Sequence, residues 1–215
     1  MRHCACLAVW LGIALSLSCL AYGDDDLLFK SAAGVNEGQL HFLARPPDKP
    51  VHHHQNRIVI EPFSLASGWV TLLQCHDHLD AVPLAQIAFR EGFVRDLAIV
   101  SSHGVTEAWV EGPSVQLRQI EPGARLCLTV QTRSLRDTGG GTYALSSGPY
   151  MRKFLDGYYP MQVSLDIDYP NGLLSLTDFS PPPAPGFSMR ATPGRVEVNA
   201  LFEGELRIEA RFTRH

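Results

Sequence analysis

The chain has 215 residues, 45% of them hydrophobic and 19% charged, a balance that belongs to a folded, core-forming protein rather than a disordered one. Its formal net charge is −4 and it contains no Lys/Arg cluster, so nucleic acid, whose binders displace phosphate counterions with clustered cations, is excluded as an expected partner.

Residues 1–23 have the pattern of a secretory signal peptide: Arg2, then the apolar run CLAVWLGIALSLSCLA (6–21), then Ala21 and Gly23 at the −3 and −1 positions before Asp24. The run is short for a membrane span and no second one follows, so the mature chain, 24–215, is expected to be exported and to carry no integral membrane segment. The compartment is the periplasm if the source is bacterial, and the extracellular space otherwise. Removing 1–23 leaves a net charge of about −5 by the same counting, and only Cys75 and Cys127 of the five cysteines. An even number of cysteines in an oxidising compartment predicts a disulfide between them. Strand parity raises one objection, because Cys75 shares a face with Trp69 and Leu73 whereas Cys127 shares one with Arg125, Thr129 and Gln131.

Taken in chain order, strands are predicted at QLHFLA (39–44), RIVIE (57–61), WVTLLQCH (69–76), AQIAFR (85–90), LAIVSS (97–102), TEAWVE (106–111), VQLRQI (115–120) and ARLCLTVQT (124–132). Each is rich in residues that fit a pleated surface, and turn residues such as EGF, EGPS and EPG separate them. RDTGGGTYALSSG (136–148) lacks strand pattern and marks the place where the domain would subdivide. YMRKFLDG (150–157) is the one stretch that reads as a helical turn. Beyond it, MQVSLDIDY (161–169) alternates strictly, GLLSLTDF (172–179) follows, and SPPPAPG (180–186) is a stiff connection. RVEVNALF (195–202) and LRIEARF (206–212) alternate in the same way, and a three-residue loop of Glu203, Gly204 and Glu205 would pair them as a hairpin with Phe202 opposite Leu206. Short, evenly spaced strands without helical patterns between them predict an all-β, antiparallel β-sandwich, either one large or two closely packed small ones.

Three segments carry chemistry. VHHHQNRI (51–58) and QCHDHLD (74–80) hold five histidines, whose imidazoles suit copper or zinc. Strand alternation places His76 and His78 together on the face of Val70, Leu72 and Gln74, and His52 or His54 would complete a metal site with them if the two segments are neighbours. The competing reading is a polar network without a ligand, in which Arg57 pairs with Asp77 or Asp80. The third segment, GPYMRKFLDGYYPM (148–161), clusters Tyr150, Arg152, Phe154, Tyr158 and Tyr159, and aromatics with basic residues form surfaces for a protein, peptide or glycan partner. Asp166 and Asp168 lack the spacing of a calcium loop and read as an exposed acidic face.

No nucleophile elbow, P-loop, zinc-protease helix or C-x-x-C motif is present, which weighs against an enzyme. The sequence requires no cofactor, and any ion held by the His segments would be copper or zinc. The expected function is an exported β-sandwich binding or assembly module, with a periplasmic metal-binding protein using His52, His54, His76 and His78 as the alternative.

Overall fold

The computed structural model describes residues 36–154 and 157–215; the expected signal peptide lies outside them. Strand alternation governs almost the whole described chain, and two β-sheets bury their apolar faces against each other. The larger sheet is centred on β2 (His53–Val59) and β3 (Trp69–Asp77), which pair antiparallel. On one side β2 pairs with β11 (Met161–Asp168), a parallel neighbour, and β11 pairs with β14 (Arg195–Glu203). The outer side of β14 carries both β1 (His41–Phe42) and β13 (Phe187–Thr192). On the other side β3 pairs with β6 (Ser114–Arg133), which is shared with β4 (Leu84–Ala88) and flanked along its length by β5 (Val94–Glu111). The smaller sheet has the order β12 (Leu174–Ser180), β15 (Leu206–Arg214), β8 (Thr142–Tyr150), β7 (Leu135–Gly139). One turn of helix, α1 (Ser64–Ser67), precedes β3. No helix among the described residues is long and apolar enough to cross a membrane.

Between the sheets, Ile58, Val70, Leu72, Leu128, Val130, Val163, Leu165, Ile167, Val198 and Phe202 meet Leu135, Tyr143, Leu145, Ile208, Ala210 and Phe212 in one continuous core. Removing that much apolar surface from water, at about 25 cal/mol per Å², is the dominant stabilising term. The outer face of the larger sheet is polar and cross-linked. Arg57 pairs with Asp168 at 2.7 Å, Arg195 with Asp166 at 3.0 Å, and Arg190 with Glu197.

Several expectations are corrected. The C-terminal strands β14 and β15 do not pair with each other: Phe202 lies opposite Met161 and Leu206 opposite Tyr150, in different sheets. Both alternations are real, but the chain crosses from one sheet to the other at Gly204 and Glu205, so the two apolar faces look at each other across the core. RDTGGGTYALSSG forms most of a hairpin between β7 and β8 rather than a linker, with Tyr143 and Leu145 buried. YMRKFLDG forms no helix in its described part; it begins a crossover that carries the short strands β9 (Lys153–Phe154) and β10 (Gly157–Tyr158).

The four strands predicted over 97–132 are two long ones. In β5 and β6 the dipeptide His103-Gly104 and the tripeptide Glu121-Pro122-Gly123 are a bulge, not turns: His103 pairs with Arg125 but Val105 pairs with Ile120. Gly104 is needed there, since its φ is 66° and a Cβ would lie 3.1 Å from Ala124 Cα. The ribbon bends back strongly. Phe89 donates to Pro113 at one end and Phe93 accepts from Arg133 at the other. Four residues of chain span at most about 14 Å, whereas β6 straightened would extend about 66 Å.

Candidate functional site

Parity decides the site. Along β2, His54, Asn56 and Ile58 face the core while His53, Gln55 and Arg57 face out; along β3, Val70, Leu72, Gln74 and His76 face the core. Direct pairing of His54 with His76 and of Asn56 with Gln74 builds a two-by-two block of polar side chains on the inner face. Its flanks are apolar, with Val163 and Leu165 on β11 and Leu126 and Leu128 on β6. The block is a polar island in a hydrophobic core, with His54 9%, Asn56 5%, Gln74 5% and His76 3% exposed.

The opposite sheet supplies Tyr150. Along β8, Tyr143, Leu145 and Ser147 point inward, and a one-residue bulge at Gly148 and Pro149 resets the parity so that Tyr150 points inward too. A Cβ at Gly148 would lie 2.7 Å from the Leu206 carbonyl oxygen, and its φ is 98°, so glycine is required. The Tyr150 ring meets His54 edge-on at 5.2 Å, and its hydroxyl lies 2.5 Å from Ser147 Oγ. Burial pushes the Tyr150 hydroxyl up to about 12, the Ser147 hydrogen bond offsetting part of the rise.

His52, just before β2, completes the cluster. Its Nε2 lies 2.9 Å from Nδ1 of His76, and the rings of His54 and His76 stack with centroids 4.2 Å apart at 23°. Burial lowers His52 to about 4, with the Asp80 carboxylate opposing and the Arg152 guanidinium adding to the fall. Burial and then His52 lower His76 to about 3, and burial first, then His76, holds His54 well below the usual range. All three imidazoles are therefore neutral at physiological pH.

Hydrogen bonding in the block is incomplete. The Gln74 amide nitrogen faces Nε2 of His54 and the Asn56 amide donates to the His54 carbonyl at 3.4 Å. His76 Nε2, Gln74 Oε1 and Asn56 Oδ1 are buried without a partner. A buried polar atom left unpaired costs about 1–3 kcal/mol, so three on one face make the block an expensive place in the core.

Arg152 closes the end of the site. Its Nε and Nη2 donate to the two Asp80 oxygens at 3.0 and 2.5 Å, its Nη1 donates to the Pro160 carbonyl at 3.2 Å, and its guanidinium lies over Phe154 and Tyr159, 5.6 Å from each ring centre. The two segments that the sequence presented as separate candidates thus meet in one place. Tyr158 is the exception: it packs on Gly38 and donates to Glu205 at 3.1 Å.

The remaining candidates fall on the outer face or beyond the strand. β3 ends at Asp77 and His78 takes a left-handed backbone, φ 54°, leaving its side chain exposed. Alternation therefore stops before His78, which does not join His76. His53 bonds Ser164 Oγ at 2.9 Å on the outer face, where Gln55 donates to Asp77 at 2.6 Å and Asp77 pairs with Arg125. Arg57 thus pairs with neither Asp77 nor Asp80, because Asp168 on the adjacent β11 is nearer in register. Cys75 and Cys127 stand directly opposite each other on β3 and β6, Cα atoms 4.1 Å apart, and are bonded. The parity objection dissolves because the face of Trp69, Leu73 and Cys75 is the outer one, as is that of Arg125, Cys127 and Thr129. The polar-network reading of the His segments already included Asn56, but sequence reasoning missed Gln74 and Ser147 as members of the site; the signal for Gln74 was a polar residue at core parity beside Leu72.

Among the described residues, no group of three or more His, Cys, Asp or Glu side chains converges on one point. The clefts at Phe187 and Leu201, about 250 Å³, and at Val94 and Val110, about 370 Å³, are lined by other residues. The sequence matches no protein-family model and no curated protein. Fold and site together define an all-β sandwich with a polar island between its sheets.

Proposed function

We propose that the protein is an exported binding module that engages a polypeptide partner at the end of the sandwich where the described parts of the crossover, 149–154 and 157–160, lie by the inward polar block. The observation that supports this most is the double use of one segment. The crossover sends Tyr150 into the block and Arg152 across its end, while presenting Lys153 and Phe154 to solvent beside Tyr159. Aromatic rings with an arginine, set around a desolvated centre, are the composition of binding hot spots. A purely structural crossover has no need of unpartnered polar atoms beneath it, since apolar residues would pack there at lower cost.

Native mass spectrometry of the full chain, isolated gently from the compartment to which it is exported, tests the reading. The expected result is a co-isolating mass that is lost in Arg152→Ala and Phe154→Ala. A bare monomer from wild-type material overturns it, and a retained glycan in place of a polypeptide overturns the choice of partner.

A further inference from the structure

We infer that the free edge of β4 (Leu84–Ala88) is a self-association surface, on which β4 of a second copy of this chain adds antiparallel about a two-fold axis at Gln86. The inference does not depend on the polar block. β4 pairs with β6 on one side, and no strand among the described residues lies on its other side. Two bonds fix which backbone groups that edge presents: the Phe89 N–H donates to the Pro113 carbonyl at 2.9 Å, and the Pro83 carbonyl accepts from the Gln119 N–H at 2.8 Å. The odd-numbered residues therefore turn their N–H and C=O groups toward β6, and those of Leu84, Gln86 and Ala88 point outward. The side chains of these three residues are exposed as well, that of Leu84 in a residue 67% accessible.

Sheets blunt a free edge with charge, proline or a bulge, which keep other strands from adding to it. The other described edge strands longer than two residues follow that rule. β5 carries Arg95, Asp96, Glu107 and Glu111 and three register shifts. β12 carries Asp178, and β7 carries Arg136 and Asp137, each strand with a shift, while β13 carries Arg190. β4, LAQIA, has no charge, no proline and an unbroken register. Its sequence also matches itself. About a two-fold axis at Gln86, Leu84 lies opposite Ala88 of the second copy, Ala85 opposite Ile87, and Gln86 opposite Gln86, so each large apolar side chain meets a small one and no charge faces another. Parity agrees with this register. Leu84, Gln86 and Ala88 all present outward groups, so their pairs exchange about six backbone hydrogen bonds. Ala85 and Ile87, half-buried against the core, carry the apolar layer across the axis. A foreign strand would make the same backbone bonds; the matching of small to large side chains selects a second copy.

The test is sedimentation velocity of the full chain from about 10 µM to about 1 mM, a range suited to a small interface. The expected result is a concentration-dependent rise from the monomer to twice its mass. Gln86→Pro removes the central outward N–H and leaves the bonds to β6 in place, and Gln86→Lys sets two like charges face to face; each should shift the equilibrium at least about tenfold toward monomer. The lysine variant carries the test if the proline variant fails to fold. Gln86→Cys brings two Cα atoms to about 5.5 Å across the axis and should give a disulfide-linked dimer with oxidised glutathione, whereas Leu84→Cys leaves its pair about 13 Å apart and should not. A monomer at about 1 mM overturns the inference, as do a dimer undiminished in Gln86→Lys and equal cross-linking by the two cysteine variants. A monomeric chain that holds a foreign polypeptide, lost in Gln86→Lys, overturns the choice of occupant. Dimerisation without any co-isolating partner leaves this inference standing and overturns the partner reading; a monomeric chain whose partner is lost in Arg152→Ala does the reverse.

Discussion

His54 and His76 stand directly opposite each other on adjacent strands, both facing the core, with rings stacked 4.2 Å apart. Two imidazoles at that distance inside a β-sandwich can be tolerated only as neutral groups, since each would repel the other's charge and lose its hydration.

That constraint makes stability depend on pH. In the folded protein His52 and His76 are lowered to about 4 and about 3, and His54 is lowered as well, whereas in the unfolded chain each binds a proton near its ordinary value of 6.5. The unfolded state therefore holds more protons below pH 6.5, and stability that is complete above that pH is lost as pH falls toward 4. The slope should approach about 1.4 kcal/mol per pH unit for each histidine. Urea unfolding of metal-free protein between pH 7.5 and 4.5 measures it, and a flat profile would contradict the burial of the cluster.

Asn56 is nearly the size of leucine and leaves a buried oxygen unpaired. Asn56→Leu should raise stability by about 1 kcal/mol, because an unmet polar group is exchanged for apolar packing against Val163, Leu165 and Leu128. The same change should weaken binding at the block. Denaturant midpoints check the first part, and a loss of more than about 1 kcal/mol would show that Asn56 is held for structure.

Arg152 and Asp80 are each about three-quarters or more buried, with side-chain exposures of 20% and 27%. Arg152→Ala leaves the Asp80 carboxylate without its two donors and should cost about 1–3 kcal/mol; Arg152→Lys should recover only part of this, since an ammonium cannot make the paired contact. Thermal unfolding of the two variants, compared with wild type, distinguishes a paired latch from a solvated charge.

The Cys75–Cys127 bond closes a loop with a sequence separation of 52 on the outer face of the larger sheet. In the chain-entropy account its removal by a double Cys→Ser change should cost about 4 kcal/mol. A thiol assay on the denatured, unreduced mature chain should find none free; two free thiols would show the bond unformed.

Much of the fold was legible because β-sandwich strands announce themselves residue by residue: alternation over MQVSLDID and RVEVNALF reappears as buried and half-buried positions in the same order. Which strands pair was not legible, since alternation states a face and says nothing of the neighbour. β14 and β15 illustrate this, being consecutive yet in different sheets. The bulges at Gly104 and Gly148 were hidden for a related reason: a single extra residue reverses every later face, and only the partner strand reveals it. The site was half legible. Parity separated His54 and His76 from His53, but nothing in the sequence brought Tyr150 to His54, because that contact crosses between sheets. His78 was misplaced because a strand end is a backbone event that alternation does not foresee.

The most direct measurement is a crystal structure of gently isolated protein at a resolution that shows ordered solvent, inspected between His52, His76, Gln74 and Asn56. The account predicts non-protein density larger than an isolated water, within hydrogen-bonding distance of His52 or His76. Density confined to protein atoms, with His76 Nε2, Gln74 Oε1 and Asn56 Oδ1 turned to satisfy one another, would contradict it.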